Sequence, residues 1–294
     1  MISVKSAGLM VLMVGLGACK PAPQPAVPPP PTAAAPAAPE VTLPLPPQPA
    51  DLSEAQQKAY MTAIFEDRYN ATEGKTIIHI GEVDDGQFLL MTPVSANQLD
   101  DGRIIVIVNG MPTDETGEGT PAHPEEGVMN IYTLRRAGGM LKVVERRQNV
   151  ATSGNFGNIG DVSWIMLAPN RPGFLLTSTY TGFGDWISNT TIFELGQEVR
   201  ELGGFFNSSS NSGTCGSTGN ECWDVDSTIR FAKEPSNGLR DLLVSFTEKH
   251  YTQSEGNDGV QVDKVLGNAS YLARYHFDGK KYQLVSGNNP TRGL

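Results

Sequence analysis

The chain has 294 residues, with 22 Lys and Arg against 32 Asp and Glu, a formal net charge of −10. An acidic surface of this kind repels phosphate backbones and anionic headgroups, which excludes nucleic acid as a partner. Its 3 cysteines allow one pair and leave one thiol for another fate.

Lys5 is followed by an apolar run from Ala7 to Leu16, and the small residues Gly17 and Ala18 stand before Cys19. A charged start, a short apolar stretch and small residues at the cut follow the pattern of an export signal. The run is too short to span a bilayer, which takes about 20 residues. The string Leu16-Gly17-Ala18-Cys19 resembles the lipobox of bacterial lipoproteins. That resemblance implies removal of residues 1–18, a diacylglyceryl group on the Cys19 thiol and acylation, as with palmitate, of the new amine. Two or more acyl chains anchor a protein where one does not. Lys20 takes the place of the Asp that favours inner-membrane retention in such lipoproteins, so the resemblance points to the outer membrane, facing the periplasm.

From Lys20 to Ala50 the chain is mostly Pro and Ala, including Pro28-Pro29-Pro30-Pro31 and Ala33-Ala34-Ala35. Such a segment cannot bury enough apolar surface to offset its ordering entropy. Extended polyproline chain rises ~3.1 Å per residue, so residues 19–50 read as lipid anchor and spacer, reaching on the order of 90 Å. Residues 51–294 are then the exported domain, long enough for a sizeable core. Setting aside Lys5, Lys20 and Glu40, that domain carries 20 basic and 31 acidic residues.

Ser53 and Gln56 form a capping-box pair at the start of a helix expected over Ser53–Tyr69, with Ala59, Tyr60, Ala63 and Ile64 on its apolar face. After Gly74 the pattern changes to short β runs bounded by Gly, Asn, Asp and Pro. Strands are expected at Thr76–Ile80, Phe88–Pro93, Arg103–Asn109, Met129–Arg135, Leu141–Arg147, Val162–Ala168 and Phe174–Thr179. They continue at Thr191–Leu195, Val199–Gly203, Thr228–Lys233, Asp241–Glu248, Tyr271–Phe277 and Lys281–Ser286. The domain is all-β with one N-terminal helix.

Three segments share one layout: a strand, a turn, a strongly apolar strand, a loop and a tight hairpin. The apolar strands are Gly102–Val108, Gly173–Thr179 and Arg240–Phe246, and the hairpins turn at Ala137-Gly138-Gly139, Gly196-Gln197 and Asp278-Gly279. Asp-Gly favours a two-residue turn because both central positions need positive φ. Each unit has about four strands, the makeup of a propeller blade, which predicts a propeller-like array, partial or open. A two-sheet sandwich is the alternative. The hairpin Tyr271–Tyr282 and the strand Arg240–Val244 before it resemble integrin-α-type propeller repeats of exported bacterial proteins. Those repeats carry an Asp-rich calcium loop ahead of the apolar strand. Here Glu234-Pro235-Ser236-Asn237-Gly238-Leu239 has one acidic residue, which argues against calcium there.

If Cys19 carries lipid, Cys215 and Cys222 remain as an even pair, read as a disulfide in an oxidising compartment. It pins a Ser/Asn/Gly-rich stretch between Asn207 and Glu221. No H-E-x-x-H, G-x-S-x-G or phosphate loop occurs. His250 and His276 fall on neighbouring expected strands. The stretch Asp114–Glu126 has the densest carboxylates and is read as a solvated loop rather than a calcium site. No catalytic residue, metal site or cofactor is assigned. The aromatics Tyr180, Phe183 and Trp186 lie between two strands of the second unit, and Phe205, Phe206 and Trp223 flank the disulfide stretch. They form either a binding surface or plugs of a β-rich core. The leading reading is a lipid-anchored, noncatalytic binding domain whose partner is an envelope protein, including a hydrolase or toxin that it restrains. The alternatives are an envelope hydrolase with a dispersed carboxylate or histidine site, and a structural or assembly lipoprotein.

Overall fold

A computed structural model describes residues 42–81, 86–215, 221–255 and 261–293. The export signal, Cys19 and the Pro/Ala stretch up to residue 41 lie outside the described residues. Among the described residues no helix is long and apolar enough to cross a membrane.

Ser53 caps helix α1 (Glu54–Phe65): its hydroxyl accepts the Gln56 N–H while the Gln56 side chain accepts the Ser53 N–H. The helix stops earlier than expected because Glu66 turns to φ 56° and a short 3-10 turn, Glu66–Arg68, follows. Its buried face is Tyr60, Met61, Ile64 and Phe65, the larger side chains, and Ala59 is left exposed.

All the strand pairings are antiparallel. The first sheet runs β2 (Ile77–Ile80), β3 (Gln87–Gln98), β4 (Ile104–Thr113), β5 (Gly127–Ala137) and β6 (Met140–Ser153) in chain order. One of the two sheets is a curled half-barrel. The second sheet follows the first in the chain. Its order is β7 (Asp161–Ala168), β8 (Arg171–Gly182), β9 (Asp185–Leu195), β10 (Val199–Ser210), β11 (Cys222–Ser236), β12 (Leu239–Glu255), β13 (Gln261–Phe277) and β14 (Tyr282–Gly287). Strands β10 and β11 pair only through Ser209–Val225 and Ser210–Asp224. That narrow seam divides the second sheet into two four-stranded meanders, β7–β10 and β11–β14. With β3–β6 they give three blades, each with its apolar strand second and its tight hairpin between the third and fourth strands. This is the open, propeller-like array that the repeated layout predicts.

Three apolar layers hold the blades. Ile104, Val106 and Val108 face α1 together with Leu89, Met91, Tyr132 and Leu134. On the other side of β4, Ile105 and Ile107 meet Trp164, Phe174, Leu176 and Phe193 of the second blade. Ile165, Leu175, Ile192 and Phe205 meet Phe231, Leu242, Val244, Phe246 and Tyr275 between the second and third blades.

The folded body begins before Asp51. Strand β1 (Thr42–Pro44) fills the open part of the seam by pairing Thr42, Leu43 and Pro44 with Ala232, Phe231 and Arg230 of β11. Pro44 is tolerated because β1 is paired on one side only. Gln48 then accepts the Trp164 N–H at 2.5 Å and donates to the Trp164 carbonyl at 3.1 Å. Three residues with no room for alternation carry no strand signal in the sequence, so the expected boundary at Asp51 falls inside the ordered body.

Candidate functional site

An antiparallel meander puts alternate connections at opposite ends. At one end lie tight turns near residues 100–102, 138–139, 169–170, 196–198, 237–238 and 278–281. At the other lie the longer connections 114–126 and 154–160 and the residues 211–215 and 221, together with the hairpin tip at Phe183 and Gly184. The chain enters at the tight-turn end, because Thr42 pairs with Ala232 and Pro44 with Arg230, farther from the turn at 237–238.

The long connections are tied to one another. Gly157 N–H donates to the Glu125 carbonyl at 2.8 Å, and the rings of His123 and Phe156 stand 4.7 Å apart. Gly154 N–H donates to the Tyr180 hydroxyl at 3.1 Å. Gly154 has φ 77°, and a Cβ there would lie 1.8 Å from the Asn158 carbonyl oxygen, so only glycine fits this turn. Gly213 N–H donates to the Gly184 carbonyl at 3.0 Å, and the Thr214 hydroxyl donates to Asp185 at 2.9 Å. Two carboxylates of the acidic loop bond within it, Asp114 accepting from Thr116 and Glu118 and Glu125 accepting the Ala122 N–H, while Glu126 accepts the Thr152 hydroxyl. The Thr116 hydroxyl first, with those N–H groups, holds Asp114 below the usual carboxylate range. Among the described residues no three His, Cys, Asp or Glu side chains converge on a metal position.

Cys215 and Cys222 are bonded, with their Cα atoms 5.1 Å apart. They are buried with Tyr251. Burial and the Asp224 carboxylate push the Tyr251 hydroxyl up to about 12. Asn211 closes the base of the loop, its amide accepting the Trp223 N–H at 2.7 Å and donating to the Glu221 carbonyl at 3.0 Å.

The six aromatics separate into different roles. Phe183 is 102% exposed, with φ 52°. With Gly184 at φ 86° it forms a hairpin tip whose two central residues both have positive φ, a pair for which Asn and Gly are favoured. Tyr180 and Trp186 are not loop residues but strand residues of β8 and β9, half-buried, with Trp186 opposite Thr181 and Ser210. Phe205 corrects the surface expectation: it is a core residue, 6% exposed and stacked 4.7 Å from Tyr275. Phe206 is 44% exposed, and its carbonyl accepts from Asn289 at 2.8 Å. Trp223 lies in β11, packed against the core, with the Arg292 guanidinium 4.4 Å over its ring.

Beside Trp223 sits a charged group that periodicity did not single out. Glu248 continues the inward row Leu242, Val244, Phe246, and its side chain is only 5% exposed. It accepts from the Tyr271 hydroxyl at 2.9 Å and from Arg292 at 2.7 Å, and His250 Nε2 lies 3.1 Å away. The hydrogen bond to Glu248 first, then burial, raises the Tyr271 pKa. His250 Nδ1 contacts Glu221 at the end of the disulfide loop. The available sequence signal was a carboxylate and a histidine continuing an apolar strand face at i, i+2 spacing.

At the tight-turn end, buried carboxylates brace the blades. Glu194 is held by Arg171 and by Arg200 from adjacent strands. Asp241 accepts from Ser236, from Arg274 at 2.6 Å and from His276 Nδ1 at 2.9 Å. Ser236 and Asp241 both address the same nitrogen of His276, so the serine is not placed against a free imidazole base. His250 and His276 do not meet: they stand opposite Gly267 and Gln283, at different ends of the blade. A cleft beside the end of α1, lined by Phe65, Glu66, Asp67, Arg68, His79 and Arg146, has its two carboxylates on consecutive exposed residues. Its Arg146 donates to the Ile64 carbonyl at 2.6 Å.

No protein-family model, no curated protein and no solved structure matches the chain.

Proposed function

We propose that this is a noncatalytic binding domain, displayed from the cell envelope on a lipid-anchored Pro/Ala tether, and that the long-loop end takes an envelope protein. The observation that carries this reading is Phe183. A fully exposed aromatic held at positive φ on a hairpin tip contributes nothing to the core and stands in a backbone region that disfavours its side chain. Neighbouring connections fix that tip through Gly213 and Thr214, so the ring is presented on a braced support rather than a free loop.

The test is capture from envelope extracts by the mature chain. Phe183→Ala should fold like the parent and lose capture by tenfold or more, in keeping with an exposed aromatic anchor of about 2 kcal/mol. Cys19→Ser should abolish fatty-acid labelling. Undiminished capture by the folded Phe183→Ala protein would remove the assigned surface. Hydrolysis of peptidoglycan or lipid by the purified domain would replace the noncatalytic reading with the envelope-hydrolase one.

A further inference from the structure

We infer that Trp223, Glu248 and Tyr271 form a receptor for an arginine side chain, and that the chain's own Arg292 fills it. Two requirements of guanidinium recognition meet there. An aromatic face attracts the cation, and the Arg292 guanidinium carbon lies 4.4 Å from the Trp223 ring centroid. A carboxylate at the edge takes a charge-assisted hydrogen bond, and Glu248 accepts from Arg292 at 2.7 Å. Glu248 is held from other directions by Tyr271 and His250, so its position does not depend on Arg292. A buried carboxylate fixed in this way favours a cation, because leaving it unpaired is costly.

The occupant is built to be exchanged. Arg292 belongs to residues 288–293, which follow the last strand and run across the blade seam. That segment, Asn-Asn-Pro-Thr-Arg-Gly, supplies no apolar anchor to any core layer. It is held by hydrogen bonds: Asn288 N–H to the Leu272 carbonyl, Asn289 to the Phe206 carbonyl and to the Tyr275 hydroxyl, and Arg292 N–H to the Ser209 hydroxyl. The Arg292 side chain stays 47% exposed. Its release frees Glu248 and the face of Trp223 that Arg292 covers, and breaks the Asn289 bonds to Phe206 and Tyr275. The incoming group is then an arginine on a basic segment of the partner, which the net charge of −10 attracts.

This inference rests on the binding reading for its biological partner, but its test does not. The mature chain carrying Arg292→Ala is titrated with N-acetyl-arginine methylamide, and with the lysine analogue as control, by calorimetry and tryptophan fluorescence. Arg292→Ala should bind the arginine probe at least about tenfold more tightly than the parent, whose site is filled. The lysine analogue should bind more weakly, since it cannot stack its charge as a plane on the indole. Adding Glu248→Gln should cost tenfold or more. The inference falls if the folded Arg292→Ala protein does not bind the probe, or if Glu248→Gln leaves binding unchanged. It falls equally if Arg292→Ala does not fold, because a residue the fold requires is not an exchangeable plug. Probe failure with Phe183-dependent capture intact would remove the receptor alone; lost Phe183 dependence with probe binding intact would remove only the surface assignment.

Discussion

Replacing Phe183 with Asn should make the domain more stable. Phe183 is fully exposed, so its removal forfeits no burial. Its φ of 52° lies in the left-handed region, where an L-residue pays about 1–2 kcal/mol and Asn pays less. The following Gly184 already has φ 86°, and an Asn-Gly pair is the favoured filling of such a tip. The expected gain is about 1 kcal/mol, which for a domain of this size raises the melting temperature by roughly 2–4 °C. Urea midpoints read with an unchanged slope separate this gain from any change in the unfolded state. The same variant should lose partner capture, so that stability and function move in opposite directions. A loss of stability of 1 kcal/mol or more would refute the reasoning, because it would require contacts that a fully exposed ring does not make.

Phe205→Ala should behave in the opposite way: a ring buried between two blades and stacked on Tyr275 should cost ~3–5 kcal/mol in urea unfolding, with no separate effect on capture by the fraction that folds. Reduction of the Cys215–Cys222 bond, sequence separation 7, should cost about 2–2.5 kcal/mol by loop closure, with faster hydrogen exchange confined to Asn211–Cys215 and Glu221–Trp223. Asp241 sets part of the acid limb. Burial alone would raise its pKa, but hydrogen bonds from Ser236, Arg274 and His276 outweigh that and hold it below the usual carboxylate range. A depressed carboxylate contributes stability above its unfolded pKa and loses it as pH falls through the folded one. Asp241→Asn should therefore lower stability by about 1–3 kcal/mol at pH 7 and flatten the decline below pH 4. Parallel acid limbs for parent and variant would count against this role.

The apolar strands were legible because their burial is continuous. Ile104–Val108 is apolar at every position since β4 meets α1 on one side and the second blade on the other. The positions of the tight hairpins were legible from their Gly and Asp residues, although the third turns over residues 278–281 rather than in a two-residue Asp278-Gly279 turn, since only Gly279 of that pair takes a positive φ. The ends of the long strands were not. Ser188-Asn189-Thr190, Phe206–Ser210 and Cys222–Thr228 carry Ser, Asn, Thr and Asp where a strand pattern needs alternating apolar residues, yet all but Asn207, at a register shift, are paired. They are strands because hydroxyls bond across the sheet, as between Thr177 and Thr190 at 2.9 Å, or between Thr179 and Ser188 at 2.6 Å. Composition alone places such residues in loops, which is why Trp186 and Trp223 read as loop aromatics. The Glu248 group was hidden for a related reason: its members come from β11, β12, β13 and the segment after β14, and only the sheet register brings them together.

The same alternation governs how the outer faces of the first and third blades are covered. A blade with two apolar faces needs a neighbour on each. The first blade has α1 on its outer side, where Tyr60, Met61, Ile64 and Phe65 cover Leu89, Val106 and Tyr132. The third blade needs no such cover. Along β12 the inward residues Leu242, Val244 and Phe246 are apolar, while on the opposite face Leu243 is buried and Ser245 and Thr247 are exposed. The cross-strand neighbours on that face are Thr228 and the exposed Leu272 beside Ser245, and Asp226 and Ser270 beside Thr247. A terminal repeat with a polar outer surface caps a stack of repeats. Among the described residues a helix covers one side of the array, a largely polar face lies on the other, and β1 fills the seam between the last two blades. Placing Leu or Val at Ser245 and Thr247 should convert the capped face into an adhesive one and drive the domain to self-associate in sedimentation, whereas the same substitutions on a face already covered by a further blade would leave it monomeric.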